Sequence, residues 1–158
     1  MSIKELIETE EWKKFMRKLE KTGSIFAGIA FILSFGTPLA NPLFITGFGT
    51  LAIVYFFSGF YELKTENRII TFLFYKIYGF ALTFSCISIV FYFMNWPFFK
   101  NSLSISIIGI MIAIFFGLKY KKTEENVNLL DKLFYIRLVI ALGLLIFVLY
   151  LSQNKLVV

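Results

Sequence analysis

The side chains that most enzymes and metal sites use for chemistry are scarce in this chain. It has no histidine and a single cysteine, Cys86, among 158 residues. Haem ligation by histidine, His/Cys zinc sites, histidine acid–base catalysis and dithiol redox chemistry are therefore excluded. The sequence also contains no phosphate-binding glycine loop and no Ser/His/Asp set. We therefore expect no catalytic residues, no metal and no cofactor, and we expect that the protein is not an enzyme.

The composition indicates a different solvent from water. The chain is 58% hydrophobic and only 16% charged, whereas soluble domains carry roughly 45–50% apolar and about 25% charged residues. A soluble fold of this length could not bury so much apolar surface, so a bilayer is the better solvent. The predicted fold is an all-α polytopic transmembrane helical bundle.

Five apolar stretches are long enough to be membrane spans. The uncharged run from Thr22 to Tyr61 exceeds the ~20 residues that one span needs, and Pro38 and Asn41-Pro42 divide it. Asn caps helix starts and Pro fits a first helical turn. The predicted spans are 23–40, 43–61, 69–94, 102–118 and 133–151. The stretch 23–61 could alternatively be one span and a re-entrant segment.

The N-terminal residues 1–22 are predicted to form an amphipathic segment outside the transmembrane domain, which comprises 23–158. An apolar stripe at helical spacing consists of Trp12, Phe15, Met16 and Leu19. The opposite face carries Lys13, Lys14, Arg17, Lys18 and Lys21. Such a helix is typical of one that lies in the membrane interface on anionic headgroups; a partner-binding helix is the alternative. The stripe does not extend back to Ile3, Leu6 and Ile7, which predicts a break or a second helix start near Thr9-Glu10-Glu11.

The positive charges are distributed very unevenly about the five predicted spans. Of the 16 Lys and Arg residues, 14 fall on the side of the N-terminus, and Lys100 and Lys155 fall on the other. Since Lys and Arg gather in cytoplasmic loops, the N-terminus is predicted to be cytoplasmic and the C-terminus extracytoplasmic, in a bacterial inner membrane. The net charge of +6 is then explained by these loops, and we expect no nucleic-acid partner.

Two surfaces are candidates for contact with other molecules. The extracytoplasmic turns present polar and aromatic residues at the level of an aromatic belt: Thr37, Asn41, Asn95, Trp96, Phe98 and Lys100. The cytoplasmic candidates, for anionic lipid or a partner, are Trp12, Lys13, Lys14, Arg17, Lys18, Lys76 and Arg137. Lys76 and Arg137 lie near the cytoplasmic ends of spans three and five, where they are expected to reach outward to the headgroups.

A weak internal repeat relates 56–82 to 115–142, with Leu-Phe-Tyr and Ala-Leu pairs in both copies. It is explained either by duplication into parallel hairpins, as in some transporters, or by chance in a biased composition.

The segment 78–117, with its Asn95-Trp96-Pro97 turn, resembles small Bacteroidota inner-membrane proteins in which a span ends in His or Asn followed by Trp-Pro-Gly. Gliding-motor subunits have a related helical pair. Phe98 stands where that pattern has Gly, and the intramembrane acid of the motor subunits is missing from the predicted spans.

Three functions are consistent with these features. The first is a non-enzymatic inner-membrane protein that acts through helix–helix and interfacial contacts, either as a subunit or regulator of a larger complex or as an immunity-type protein. Its partner would be another membrane protein or a second copy of itself. The second is a small homo-oligomeric pore or transporter for a small solute, which needs a continuous polar face along a span. The third, a lipid enzyme, would need charged residues clustered at one interface, and the spacing of those present matches no mechanism.

Overall fold

The computed structural model describes residues 9–33, 40–60, 68–123 and 132–154, and the regular structure in them is entirely helical. The helices are α1 (Glu10–Leu33), α2 (Ala40–Ser58), α3 (Arg68–Phe93), α4 (Phe99–Thr123) and α5 (Lys132–Asn154). The predicted all-α class is therefore confirmed. The candidate residue Thr37 and the positive charge at Lys155 lie outside the described residues.

Four of the described helices, α2 to α5, are long and apolar enough to cross a membrane. These helices support a transmembrane helical bundle. Helix α1 is not among them, because its first half is charged and only its apolar part, 22–33, resembles a span. At 1.5 Å per residue that part is about 18 Å long, shorter than a hydrocarbon core of ~30 Å. A fifth span remains a prediction.

Helix α1 is a single element from the basic segment into the apolar one. It starts where the sequence predicts a start: Thr9 accepts a hydrogen bond from the Trp12 amide at 3.2 Å and caps the helix. One face is buried on both sides of residue 22, at Met16, Gly23, Ala27 and Ala30. The predicted boundary between 1–22 and 23–158 therefore coincides with no helix end, and the predicted separate interfacial helix is not observed as an element of its own.

The other predicted spans differ from the helices mainly at their ends. Helix α2 begins at Ala40 and not at residue 43, so Asn41 lies inside its first turn and is not the cap. Pro42 also lies in that turn, where its missing amide hydrogen leaves no bond unmade. Helix α4 extends from Phe99 to Thr123, beyond the predicted 102–118 at both ends, because a helix can continue past the apolar stretch that crosses the membrane.

Helix α3 is the centre of the bundle. In its apolar stretch 61% of the residues are buried, against 28 to 33% in α2, α4 and α5. Helix α2 packs between α1 and α3, and α5 packs against α3 and α4. Large apolar side chains of the outer helices point away from the bundle, including Ile32, Ile108, Phe115 and Val139.

Helices α1, α2 and α3 approach each other through small residues. A Cβ added to Gly47 would lie 2.5 Å from the backbone nitrogen of Ala27. A Cβ added to Gly79 would lie 2.7 Å from the Cα of Gly59. Helix association in membranes depends on such close backbone packing, since lipid is as apolar as the helix surface.

Helices α1 and α5 run parallel and touch at two levels. Arg137, near the start of α5, pairs with Glu20, near the middle of α1, at 2.7 Å. Further along, the rings of Phe31 and Phe147 lie 5.6 Å apart. The two contacts are separated by a rise of about 16 Å along α1 and about 15 Å along α5, so the helices stay in register.

The predicted repeat places Phe74 of α3 and Phe134 of α5 at equivalent positions. Their rings lie 5.1 Å apart, and Phe134 also stacks on Tyr78 at 4.2 Å. Both helices therefore start at the same end of the bundle. Parallel helices are what a duplication would give, but chance similarity gives the same contact, and duplication remains a prediction.

The close contacts at Gly47 and Gly79 lead to a stability prediction. Gly47→Ala and Gly79→Ala should each destabilise the bundle by about 1–3 kcal/mol, the usual effect of overpacking a tight contact. The new methyl group would meet backbone atoms of the neighbouring helix. Gly49→Ala is the matched control in α2, because a methyl group there meets nothing within 4 Å. Thermal unfolding in mild detergent measures the effect; equal melting temperatures for all three variants would contradict the packing.

Candidate functional site

The start of α1, α3 and α5 and the end of α2 form one end of the bundle, here called the basic end. Its central feature is an ion pair between α1 and α5. Arg137 Nη2 donates to Glu20 Oε2 at 2.7 Å, and the side chains are 32% and 18% exposed. Arg137 lies one turn inside the apolar stretch of α5, where a single unpaired charge would be costly.

Two tyrosines extend this polar cluster. The Tyr55 hydroxyl of α2 donates to Glu20 Oε1 at 3.4 Å. Tyr78 of α3 lies close enough to Arg137 and Glu20 to interact electrostatically, but its buried hydroxyl makes no hydrogen bond of good geometry within the described residues. Side chains of four helices therefore meet around Glu20.

The predicted basic face of α1 lies on the outside. Lys14, Arg17 and Lys18 are exposed, and Lys13 donates to Glu10 at 2.8 Å. That hydrogen bond holds the pKa of Glu10 below its usual value. The exposed face turns wholly apolar at Ile25, so a headgroup boundary fits between the basic and the apolar part.

Trp12 and Lys76, which are predicted to lie at the cytoplasmic surface, also make contacts within the bundle. The Trp12 ring packs edge-on against Phe57 of α2, with centroids 5.7 Å apart. The Lys76 ammonium group lies 4.8 Å from the centre of the Phe60 ring, which is cation–π geometry. The first contact joins α1 to α2 and the second joins α3 to the turn that follows α2, so these two residues contribute to packing as well as to the predicted surface.

At the opposite end, residues 94–98 connect α3 to α4 and form the feature here called the outer turn. The Trp96 amide donates to the Phe91 carbonyl at 2.9 Å and the Asn95 amide donates to Tyr92 at 3.1 Å. Asn95 has a φ of 52°. These bonds form a Schellman motif, completed by the contact of Trp96 with Phe91 at 5.5 Å. Asn tolerates this left-handed backbone better than most residues.

Phe98 also has a left-handed backbone, like Asn95, but its residue type does not favour that conformation. Its φ is 67°, a conformation that costs a residue with a Cβ roughly 1–2 kcal/mol. Its carbonyl accepts the first hydrogen bond of α4, from Ser102 at 3.0 Å. The side chain is 72% exposed, so packing does not offset the strain.

Some of the candidate residues at this end of the bundle lie close together. Asn95, Trp96, Phe98 and Lys100 share the outer turn and the first turn of α4 and are all exposed. Asn41 is exposed in the first turn of α2, at the same end, because Phe44 stacks on Phe93 with centroids 4.1 Å apart. The second predicted turn lies partly outside the described residues, so the surface that the structure describes is mainly the outer turn.

Buried hydroxyls line the contact between α3 and α4. The Ser88 and Ser106 hydroxyl oxygens lie 3.0 Å apart, and each also lies 2.7 Å from a carbonyl oxygen of its own helix. Because each hydroxyl has one proton, one serine donates to the other, which donates to its own carbonyl. Ser104 points outward, as its spacing from Ser106 predicts. These hydroxyls are satisfied within the helix pair, as is usual for serine in apolar helices.

The Glu20–Arg137 pair is the feature of the candidate site that the sequence did not predict. The one sequence feature that could have indicated it is the position of Glu20, which is the last acid before the apolar part of α1. Within the described residues, no three His, Cys, Asp or Glu side chains lie close enough to hold a metal ion. No family model, no curated protein and no solved structure matches this chain.

The Glu20–Arg137 pair leads to a second prediction. Glu20→Gln or Arg137→Gln should each destabilise the bundle by about 1–3 kcal/mol, between the values for exposed and buried pairs. The double variant should lose less than the sum, because neither charge is then left alone. Thermal unfolding in detergent measures the coupling. Glu10→Gln, in the exposed pair with Lys13, is the control and should show no measurable change; additive losses at Glu20 and Arg137 would contradict an interaction between them.

Proposed function

We propose that this protein is a non-enzymatic integral membrane protein that acts through helix–helix and interfacial contacts with another membrane protein. It would be a subunit or regulator of a larger complex or an immunity-type protein. The observation that carries the proposal is the division between a tight interior and an apolar exterior. Backbone contacts at Gly47 and Gly79 and paired hydroxyls occupy the interior, while large apolar side chains cover the outside.

The proposed topology has five spans, with the N-terminus in the cytoplasm. Helix α1 runs parallel to α5 from Glu20 to Phe31, which favours a crossing in the same direction as α5. From Ile25 onward the exposed large side chains of α1, such as Ile25 and Ile32, are apolar and suit a lipid environment. The basic part of α1 would then lie in the cytoplasm near anionic headgroups, which Lys14, Arg17 and Lys18 attract.

The pore alternative receives less support. It needs a polar face that continues along a span, and the hydroxyls of α3 and α4 in the described residues instead bond to each other and to backbone carbonyls. A pore between several copies would have to be lined by their outer faces. On α4 that face carries Ile108, Met111 and Phe115, which does not favour passage of a polar solute.

A photo-crosslinking experiment tests the proposed partner. A benzophenone amino acid replaces Phe115, which is 65% exposed on α4, and the protein is irradiated in its native membrane. A single covalent adduct with one foreign membrane protein, identified by mass spectrometry, is expected. The same replacement at the fully buried Leu145 is the control and should give intramolecular products. Adducts that consist of this chain alone, together with conductance in planar bilayers, would overturn the proposal in favour of a pore.

The topology is tested by reporters at both ends of the chain. An alkaline phosphatase fused after Val158 should be active, and a fluorescent protein fused before Met1 should fluoresce, because the first needs an oxidising exterior and the second folds in the cytoplasm. Arg137→Gln serves as a check, since removing one of the many basic residues of the predicted cytoplasmic side should not change the orientation. Both termini on the same side would refute five spans.

A further inference from the structure

Phe98 is an exposed aromatic residue in a backbone conformation that favours glycine. Its φ of 67° and its exposure of 72% are both unfavourable for phenylalanine in water. Neither local conformation nor packing within the described residues accounts for the side chain. Backbone strain of this kind is a reason to look for a function of Phe98 other than stabilising the fold.

The outer turn has a restricted position relative to the membrane. It joins the end of α3 at Phe93 to the start of α4 at Phe99, and the apolar stretches of both helices extend to these residues. A connection this short cannot reach far beyond the ends of its helices. Its side chains therefore lie at the level of the headgroups and the outermost acyl carbons.

The neighbours of Phe98 have the chemistry of that layer. Trp96 is 48% exposed, and tryptophan concentrates at membrane interfaces because its ring is apolar and its N–H is polar. Lys100 is exposed in the first turn of α4, close enough along the chain to meet the phosphate of a lipid whose acyl chains surround Phe98. Its charge matches that phosphate.

We propose that the outer turn is a lipid anchor, in which Phe98 inserts among the acyl chains next to Trp96 and Lys100 binds a phosphate group. A phospholipid interface is the proposed occupant because the turn lies at the level of the headgroups and because Trp96 and Lys100 match the apolar–polar boundary and the phosphate of that layer. The anchor rests on the membrane insertion that the proposed function assumes, and it is independent of the identity of any protein partner. It fixes the depth of the α3–α4 pair in the bilayer.

Trp96 reports its own depth once the chain contains no other tryptophan. The sequence has two tryptophans and eight tyrosines, so Trp12→Phe leaves Trp96 as the single tryptophan, which is excited at a wavelength that tyrosine does not absorb. The protein is reconstituted in phosphatidylcholine–phosphatidylglycerol vesicles with bromine atoms at shallow or deep acyl positions. Shallow bromine is expected to quench Trp96 more strongly than deep bromine, and Phe98→Gly should reduce that quenching by about twofold as the turn moves outward.

Two further variants separate anchoring from general effects. Phe98→Leu retains an apolar side chain and should retain most of the quenching. Phe115→Ala removes an exposed aromatic side chain from α4, away from the outer turn, and should leave the quenching of Trp96 unchanged. The melting temperature in detergent verifies that Phe98→Gly is folded; it should not fall, because glycine adopts the left-handed backbone without strain.

The outcomes distinguish the anchor from the proposed function. A chain that floats with vesicles but shows the same Trp96 quenching in Phe98→Gly as in the parent overturns the anchor alone. Unchanged quenching together with an adduct to a foreign protein from a crosslinker at position 98 identifies a protein dock and overturns it too. A chain that does not float with vesicles overturns the anchor and the membrane function together.

Discussion

The close backbone contact of α2 with α1 at Gly47 and the contact of the α2 end with α3 at Gly79 determine much of the remaining structure. In a bilayer the hydrophobic effect does not drive helices together, so association depends on how closely their backbones can pack. Where a Cβ would lie 2.5 Å from the Ala27 nitrogen, only glycine allows the observed distance. This contact sets the register of α1 against α2, and that register brings Glu20 beside Tyr55.

The ion pair follows from this register. Arg137 lies inside the apolar stretch of α5, and a lone arginine there would have to reach for headgroups or deform the bilayer. With α1 held by α2, Glu20 supplies the opposite charge at 2.7 Å. Helices α1 and α5, the first and last in the described residues, are thereby joined directly, although α3 lies at the centre of the bundle. The small-residue contact and the ion pair therefore depend on each other across four helices.

The sequence predicted features whose causes are local. Hydropathy and span length predicted most of the ends of α2 to α5 to within a few residues. The Asn95-Trp96-Pro97 sequence identified the outer turn. The Glu20–Arg137 pair joins residues far apart in the chain, and no local pattern encodes the register between helices that creates it. The continuity of α1 was also missed, because the change from basic to apolar composition near residue 22 coincides with no helix end. The left-handed backbone of Phe98 could not be inferred from a residue type that rarely adopts it.

The two ends of the bundle differ in how their candidate residues are already used. At the basic end, Arg137, Lys76 and Trp12 contact partners within the chain. Among the residues whose side chains the structure describes there, the exposed basic ones lie on the outer face of α1. At the outer turn, local hydrogen bonds fix the backbone and leave the side chains of Trp96, Phe98 and Lys100 outward. A surface whose backbone is fixed and whose side chains are exposed binds without loss of much conformational entropy. By this argument the outer turn is better prepared for contact with another molecule than the more strongly charged basic end.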